Sequence, residues 1–135
     1  MFNIKKLIIG KNSTVVKKIN NMLDSVDLIS HSDIKSTKLN SYDRIYVFSW
    51  SRDKIEENYD LINSLPPGRI VFVSTCAVDS LSVKPQWNNY PKWKSEIESY
   101  VLNNSLGTVL RLGVLEDSFV NNLYGNIPVT TYKSI

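Results

Sequence analysis

Two rhythms alternate along the chain. Short apolar runs, KKLIIG at 5–10, VDLIS at 26–30, RIYVFSW at 44–50, RIVFVST at 69–75 and TVLRLGVL at 108–115, predict strands. Between most of them, apolar residues recur every three or four positions, which predicts helices. In KNSTVVKKINNMLDS (11–25) these are Val15, Val16, Ile19, Met22 and Leu23, with Ser13 or Thr14 as the N-cap. In SRDKIEENYDLINSL (51–65) they are Ile55, Tyr59, Ile62 and Leu65, with Ser51 as the expected N-cap and the PPG that follows as the stop. In YPKWKSEIESYVLNNS (90–105) they are Trp93, Ile97 and Val101, Pro91 suits the first turn, and Gly107 follows. The polar stretches 31–43 and 76–89 read as loops, the first with room for a helical turn. The last twenty or so residues look irregular apart from a short strand candidate at IPVTTY (127–132).

The order is therefore β-α-β-loop-β-α-β-α-β. Strands joined through helices run parallel with right-handed crossovers, so the expectation is a doubly wound α/β sheet with helices on both faces. The 135 residues read as a single Rossmann-like domain, with about 114–135 as an irregular C-terminal extension.

Composition narrows the function classes. The net charge of +3 is small and the lysines are scattered, with Lys5-Lys6 and Lys17-Lys18 as the densest runs, so no nucleic-acid partner is expected. Cys76 is the single cysteine and His31 the single histidine, which leaves no internal disulfide and no metal site of the Cys- or His-rich kind. No apolar run approaches about 18 residues, so no membrane insertion is expected. The N-terminal apolar stretch is too short for a secretory signal, and a cytoplasmic protein is the expectation.

In doubly wound sheets, ligands bind outside the carboxyl ends of the strands. Gly10 ends the first strand, Asp33 follows the second, Ser49 and Trp50 end the third, Thr75 ends the fourth, and Arg111 and Gly113 lie near the end of the fifth. All fall on one rim. YPKWK (90–94) places Tyr90 and Lys94 four residues apart, hence on one helical face. A phenol near pKa 10 is a poor base at neutral pH, and an adjacent ammonium lowers that value. The alternative is a surface Tyr–Lys pair on an amphipathic helix.

From Lys6 to about Gly113 the chain resembles an extended short-chain dehydrogenase/reductase of the NAD-dependent epimerase/dehydratase kind. VSTCAV (73–78) resembles the strand end that carries the family's catalytic Ser or Thr, here Thr75. YPKWKSEIE (90–98) resembles its Tyr-x-x-x-Lys followed by x-x-x-Glu, here Tyr90, Lys94 and Glu98, and VLRLG (109–113) resembles its next strand. The resemblance implies that Tyr90 exchanges a proton with a substrate hydroxyl while hydride passes between the same carbon and a nicotinamide. Lys94 would tune Tyr90 and hold the nicotinamide ribose, and Thr75 would position the reacting oxygen. It also implies NAD or NADP as cofactor, a nucleotide-sugar substrate, and a homodimer through the helices around Tyr59 and Tyr90–Asn103. Gly10, Asn12, Ser13, Asp33, Ser49 and Lys94 are the cofactor-binding candidates. Asp33 is either the acid that holds the ribose hydroxyls or a turn former in HSD. No arginine stands near it to take a 2′-phosphate, which favours NAD over NADP.

The chain departs from that pattern. Of the family's three glycines only Gly10 is kept, with Ser13 and Val16 at the other two positions. Val16 should push helix and strand apart, while Ser13 is small and its hydroxyl can meet a phosphate. Lys11 reads as an exposed loop residue or a phosphate attractor. The 76–89 loop is shorter than the family's, and most of the C-terminal region that closes over the substrate is lacking. A non-catalytic Rossmann-like module acting through a protein partner is therefore the alternative. Trp50, Trp87 and Trp93 are candidates to stack on a base or sugar, with core packing the plainer reading for Trp93. Cys76 reads as a small buried apolar residue, Glu98 as a surface carboxylate pairing with Lys94, and Arg111 as half of a structural salt bridge.

Overall fold

A computed structural model describes residues 4–19, 25–75, 90–112, 114–115 and 129–130; at Thr75, Tyr90, Pro91 and in the last two pairs it describes the backbone alone. Strand β1 (Lys6–Ile9) is followed by helix α1 (Thr14–Ile19) and β2 (Val26–Ile29). Two 3-10 helices, His31–Ser36 and Leu39–Ser41, fill the stretch expected to be loop. Then come β3 (Arg44–Val47), α2 (Ile55–Asn63), β4 (Ile70–Thr75), α3 (Tyr90–Asn103) and β5 (Gly107–Leu112). A separate parallel pair, β6 (Val114–Leu115) and β7 (Val129–Thr130), uses part of the IPVTTY candidate and part of the stretch expected to be irregular.

The five main strands are all parallel, in the order β2-β1-β3-β4-β5. The chain runs one way from β1 to β2 and the other way from β3 to β5. Right-handed crossovers then put α1 on one face and α2 and α3 on the other. The fold is the expected doubly wound, Rossmann-like α/β sheet, and the point where its direction reverses lies between β1 and β3.

Most of the core sits under α2 and α3. Leu7, Ile9, Ile45, Val47, Ile70 and Phe72 alternate onto that face and pack against Ile62, Leu65, Ile97 and Val101. On the α1 side, Val16 and Ile19 are buried. Val16 is thus a core residue of the helix–sheet contact.

Three local details differ from expectation. α2 starts at Ile55 with Lys54 as its N-cap. Ser51 stays outside because Asn58, from the second turn, takes hold of it: Ser51 N–H donates to Asn58 Oδ1 (2.8 Å) and Asn58 Nδ2 donates to Ser51 O (3.0 Å). β3 ends at Val47, so Phe48, Ser49 and Trp50 are loop. α3 is stopped by Ser105, at φ 54°, rather than by Gly107. Gly107 has a different task, since a side chain there would overlap the carbonyl of Ile70 on β4.

Candidate functional site

The crevice at the switch point starts with Gly10. Its φ of +115° suits glycine, and a Cβ would lie 2.8 Å from Ser49 N. Gly10 N–H and Lys11 N–H both donate to Ile29 O, at 2.8 and 3.0 Å, which ties the first turn to the end of β2. Ser49 N–H donates to Ile9 O (3.1 Å), which ties the third strand's exit to β1. Asn12 is exposed on the turn. Ser13 Oγ accepts from Val16 N–H (3.1 Å), so the expected N-cap forms and the hydroxyl is engaged by its own helix.

Asp33 forms the turn that was one of its two expected roles. Ser30 Oγ donates to Asp33 Oδ2 at 2.8 Å and Ser30 N–H reaches the same oxygen at 3.4 Å, as in a capping box. These bonds, with Lys11 nearby, hold the carboxyl below its ordinary value. Lys11 Nζ lies 3.9 Å from Asp33 Oδ2, so the loop lysine neighbours the one carboxylate at the end of β2.

At the other end of the crevice stands Lys94. Its side chain is not on the surface: the residue is 5% exposed. The ammonium donates to Val73 O on β4 (3.0 Å), and lies 4.2 Å from the ring centroid of Trp50 and 4.9 Å from that of Phe72. Burial pulls its pKa from the ordinary 10.5 to about 7; the Glu98 carboxylate opposes that shift and the Arg52 guanidinium adds to it. Trp50 and Phe72 are 6.0 Å apart, ring to ring.

Glu98 is equally buried, at 5%, which corrects its reading as a surface carboxylate paired with Lys94. Arg111 binds it through two nitrogens, Nη2 to Oε1 at 2.7 Å and Nε to Oε2 at 3.1 Å. This is the structural bridge expected of Arg111. Beside it on β4, Ser74 Oγ is buried with no hydrogen-bond partner among the described residues.

The structure therefore brings Asp33, Lys11, Gly10, Ser49, Trp50 and Lys94 into a line of successive neighbours along the carboxyl rim. Thr75 is the last residue of β4, its Cα paired with that of Leu112. Tyr90 is the first residue of α3, one turn before Lys94. The side chains of Thr75 and Tyr90 lie outside the described residues, as do Cys76 and Trp87. Trp93 is half-buried. Sequence reasoning missed Asn58 and the inward course of Lys94 and Glu98. The signal was present: Asn58 falls three positions after Ile55, and Lys94 and Glu98 fall three positions before Ile97 and Val101.

For a dinucleotide, the fit is uneven. The Gly10 turn permits close backbone approach, and Asp33 stands where a ribose would be held. Ser13 is occupied as a cap, and the Lys94 ammonium lies beneath the Trp50 indole. Among the described residues no group of three or more His, Cys, Asp or Glu side chains is placed to hold a metal ion. No helix among them is long and apolar enough to cross a membrane.

No family model matches the chain, and no curated protein matches it. Solved structures do match. A UDP-N-acetylglucosamine 4-epimerase from Bacillus cereus superposes with a TM-score of 0.59 at 18% identity, over 97% of this chain and 69% of that one. The protein lin1944 from Listeria innocua gives 0.60 at 14% identity, over 98% and 90%. The capsular polysaccharide assembling protein CapF from Staphylococcus aureus gives 0.55 at 14%, over 88% and 39%. At these identities the likeness is one of fold, and it is the Rossmann-like fold.

Proposed function

We propose that this chain is an NAD(P)-binding protein of the short-chain dehydrogenase/reductase type, related to the epimerase/dehydratases. The observation that carries the reading is the course of Lys94. A Tyr–Lys pair that merely decorates an amphipathic helix leaves its lysine in solvent. This one sends the ammonium inward to the Val73 carbonyl of β4, two residues before that strand ends at Thr75. Supporting it are the glycine at the switch point and Asp33 at the end of β2.

In this reading Gly10, Asn12 and Ser13 border the pyrophosphate, Asp33 holds the adenosine ribose, and Ser49 and Lys94 meet the nicotinamide half. The cofactor when bound supplies a hydride acceptor or donor. Tyr90 carries the proton, Lys94 favours its phenolate, and Thr75 orients the reacting oxygen. NAD is favoured over NADP because Asp33 would repel a 2′-phosphate. A nucleotide-sugar substrate is proposed from the resemblance and from the named activity of the Bacillus cereus structure. A homodimer through α2 and α3 is proposed from the resemblance. Isothermal titration with NAD⁺, NADH, NADP⁺ and NADPH tests the reading: micromolar binding is expected, and absence of heat or competition up to millimolar concentration overturns it.

The second reading, a non-catalytic module with a protein partner, is favoured by Ser13 and Val16. The hydroxyl is used as a helix cap and the valine is packed in the core, so both former glycine positions serve the fold. The same titration separates the two.

A further inference from the structure

We infer that Lys11 is a specificity-determining residue of the crevice: its ammonium leaves Asp33 for a 2′-phosphate, so that the chain admits NADP beside NAD. The inference rests on the proposed function for the class of ligand. It goes beyond that reading by giving the choice at the 2′ position to two opposite charges rather than to Asp33 alone.

The placement of the two side chains carries it. Both are hinged on the end of β2. Lys11 N–H donates to Ile29 O (3.0 Å). Ser30, the next residue, holds the Asp33 carboxyl through its hydroxyl (2.8 Å) and its N–H (3.4 Å). The contacts of Asp33 with Ser30 and with Lys11 all fall on Oδ2. Oδ1 takes no hydrogen bond among the described residues, so it is the oxygen left to accept from a ribose hydroxyl. The rim therefore offers an acceptor for a 2′-hydroxyl with a cation beside it.

That cation is loosely held. Lys11 Nζ lies 3.9 Å from Asp33 Oδ2, too far for a hydrogen bond, and each side chain is 47% exposed. An exposed pair of this kind contributes little to stability. The backbone of Lys11 is fixed at the end of β2, while its ammonium is a point charge on a flexible four-carbon stem. Swinging from the carboxylate to a phosphate in the same place therefore costs Lys11 little. A phosphate monoester carries up to about two negative charges at neutral pH. Asp33 alone would repel them, and the Lys11 ammonium offsets that repulsion. Because the ammonium meets the carboxylate of Asp33, it stands on the ribose side of the Gly10 turn.

The test is isothermal titration of NAD⁺ and NADP⁺ into wild type, Lys11→Met, Lys11→Arg and Asp33→Asn. 5′-AMP and adenosine 2′,5′-bisphosphate, which differ by the 2′-phosphate alone, serve as companion probes. Wild type should bind the two dinucleotides within roughly tenfold of each other. Lys11→Met should weaken NADP⁺ and the bisphosphate roughly tenfold and leave NAD⁺ and 5′-AMP within roughly twofold. Lys11→Arg keeps the charge and should retain NADP⁺ binding, whereas Asp33→Asn removes the repulsion and should turn the preference toward NADP⁺. Equal weakening of NAD⁺ and NADP⁺ in Lys11→Met overturns the inference, since the ammonium would then serve the pyrophosphate. An NADP⁺ affinity unchanged in Lys11→Met, or a wild type that binds NAD⁺ and refuses NADP⁺, overturns it as well, since the ammonium would then stay with Asp33. In each of those results the proposed function stands. A wild type that binds neither dinucleotide sinks the proposed function, and the inference with it.

Discussion

Lys94 keeps its ammonium out of water against one carbonyl oxygen and two aromatic faces. Its pKa is about 7 in the fold, against 10.5 for an ordinary lysine. Between those values the unfolded chain binds a proton that the folded chain does not, so folding stability rises with pH across that window. The contribution is fully present above the unfolded value and is lost as pH falls to the folded one. Each unit of difference is worth about 1.4 kcal/mol, so the total is several kcal/mol. Tyr42 and Tyr59 oppose the trend above about pH 10, because Asp27 beside the first and burial of the second hold both phenols protonated. Urea unfolding of wild type and Lys94→Met at pH 7, 8 and 9 should show the wild type gaining stability relative to the variant as pH rises. Parallel curves would mean that the ammonium is not desolvated. Glu98 acts on the same group from one turn away. Glu98→Gln should move the Lys94 titration further down, read from its Cε chemical shift, and cost about 1–3 kcal/mol through the weakened Arg111 bond.

At the scale of elements, the legible parts of the chain were those set by local pattern. The five apolar runs of the sequence became the five strands, and Ser13 capped α1 as its position suggested. What escaped were contacts between elements distant in sequence. Ser51 looks like a cap by its neighbours, yet Asn58 draws it out of the helix. Lys94 and Glu98 look like solvent residues by type, yet the apolar face defined by Ile97 and Val101 runs through both. Polar residues on an apolar stripe are buried only if partners wait opposite, and those partners, Val73 O and Arg111, belong to strands placed by the fold. The Gly10 turn shows the same dependence. Gly10→Ala forces a side chain into positive φ and against Ser49, and should cost about 2–4 kcal/mol, read as a lower denaturation midpoint. A wild-type midpoint would show that the turn after β1 sits more loosely against the loop after β3 than the close packing of Gly10 implies.

Across the whole molecule, stability and the candidate site are unevenly shared. The buried cluster lies between α2, α3 and the strands β1, β3 and β4, while β2 is an edge strand with no fully buried residue. Local opening follows the buried contacts that must be broken, so the edges should open first. Native-state hydrogen exchange should find the slowest amides in β1, β3 and β4, and faster exchange in β2 and the 3-10 segment from His31 to Ser36. Asp33 lies in that segment, whereas Lys94 docks against β4. The two ends of the proposed cofactor site would thus rest on parts of different rigidity: one pre-formed and covered, the other poised to be ordered by its ligand. A bound dinucleotide should slow exchange most at 26–36 and much less in β4. Protection confined to β4, or equal protection of β2 and β4 before any ligand is added, would remove the basis for that division.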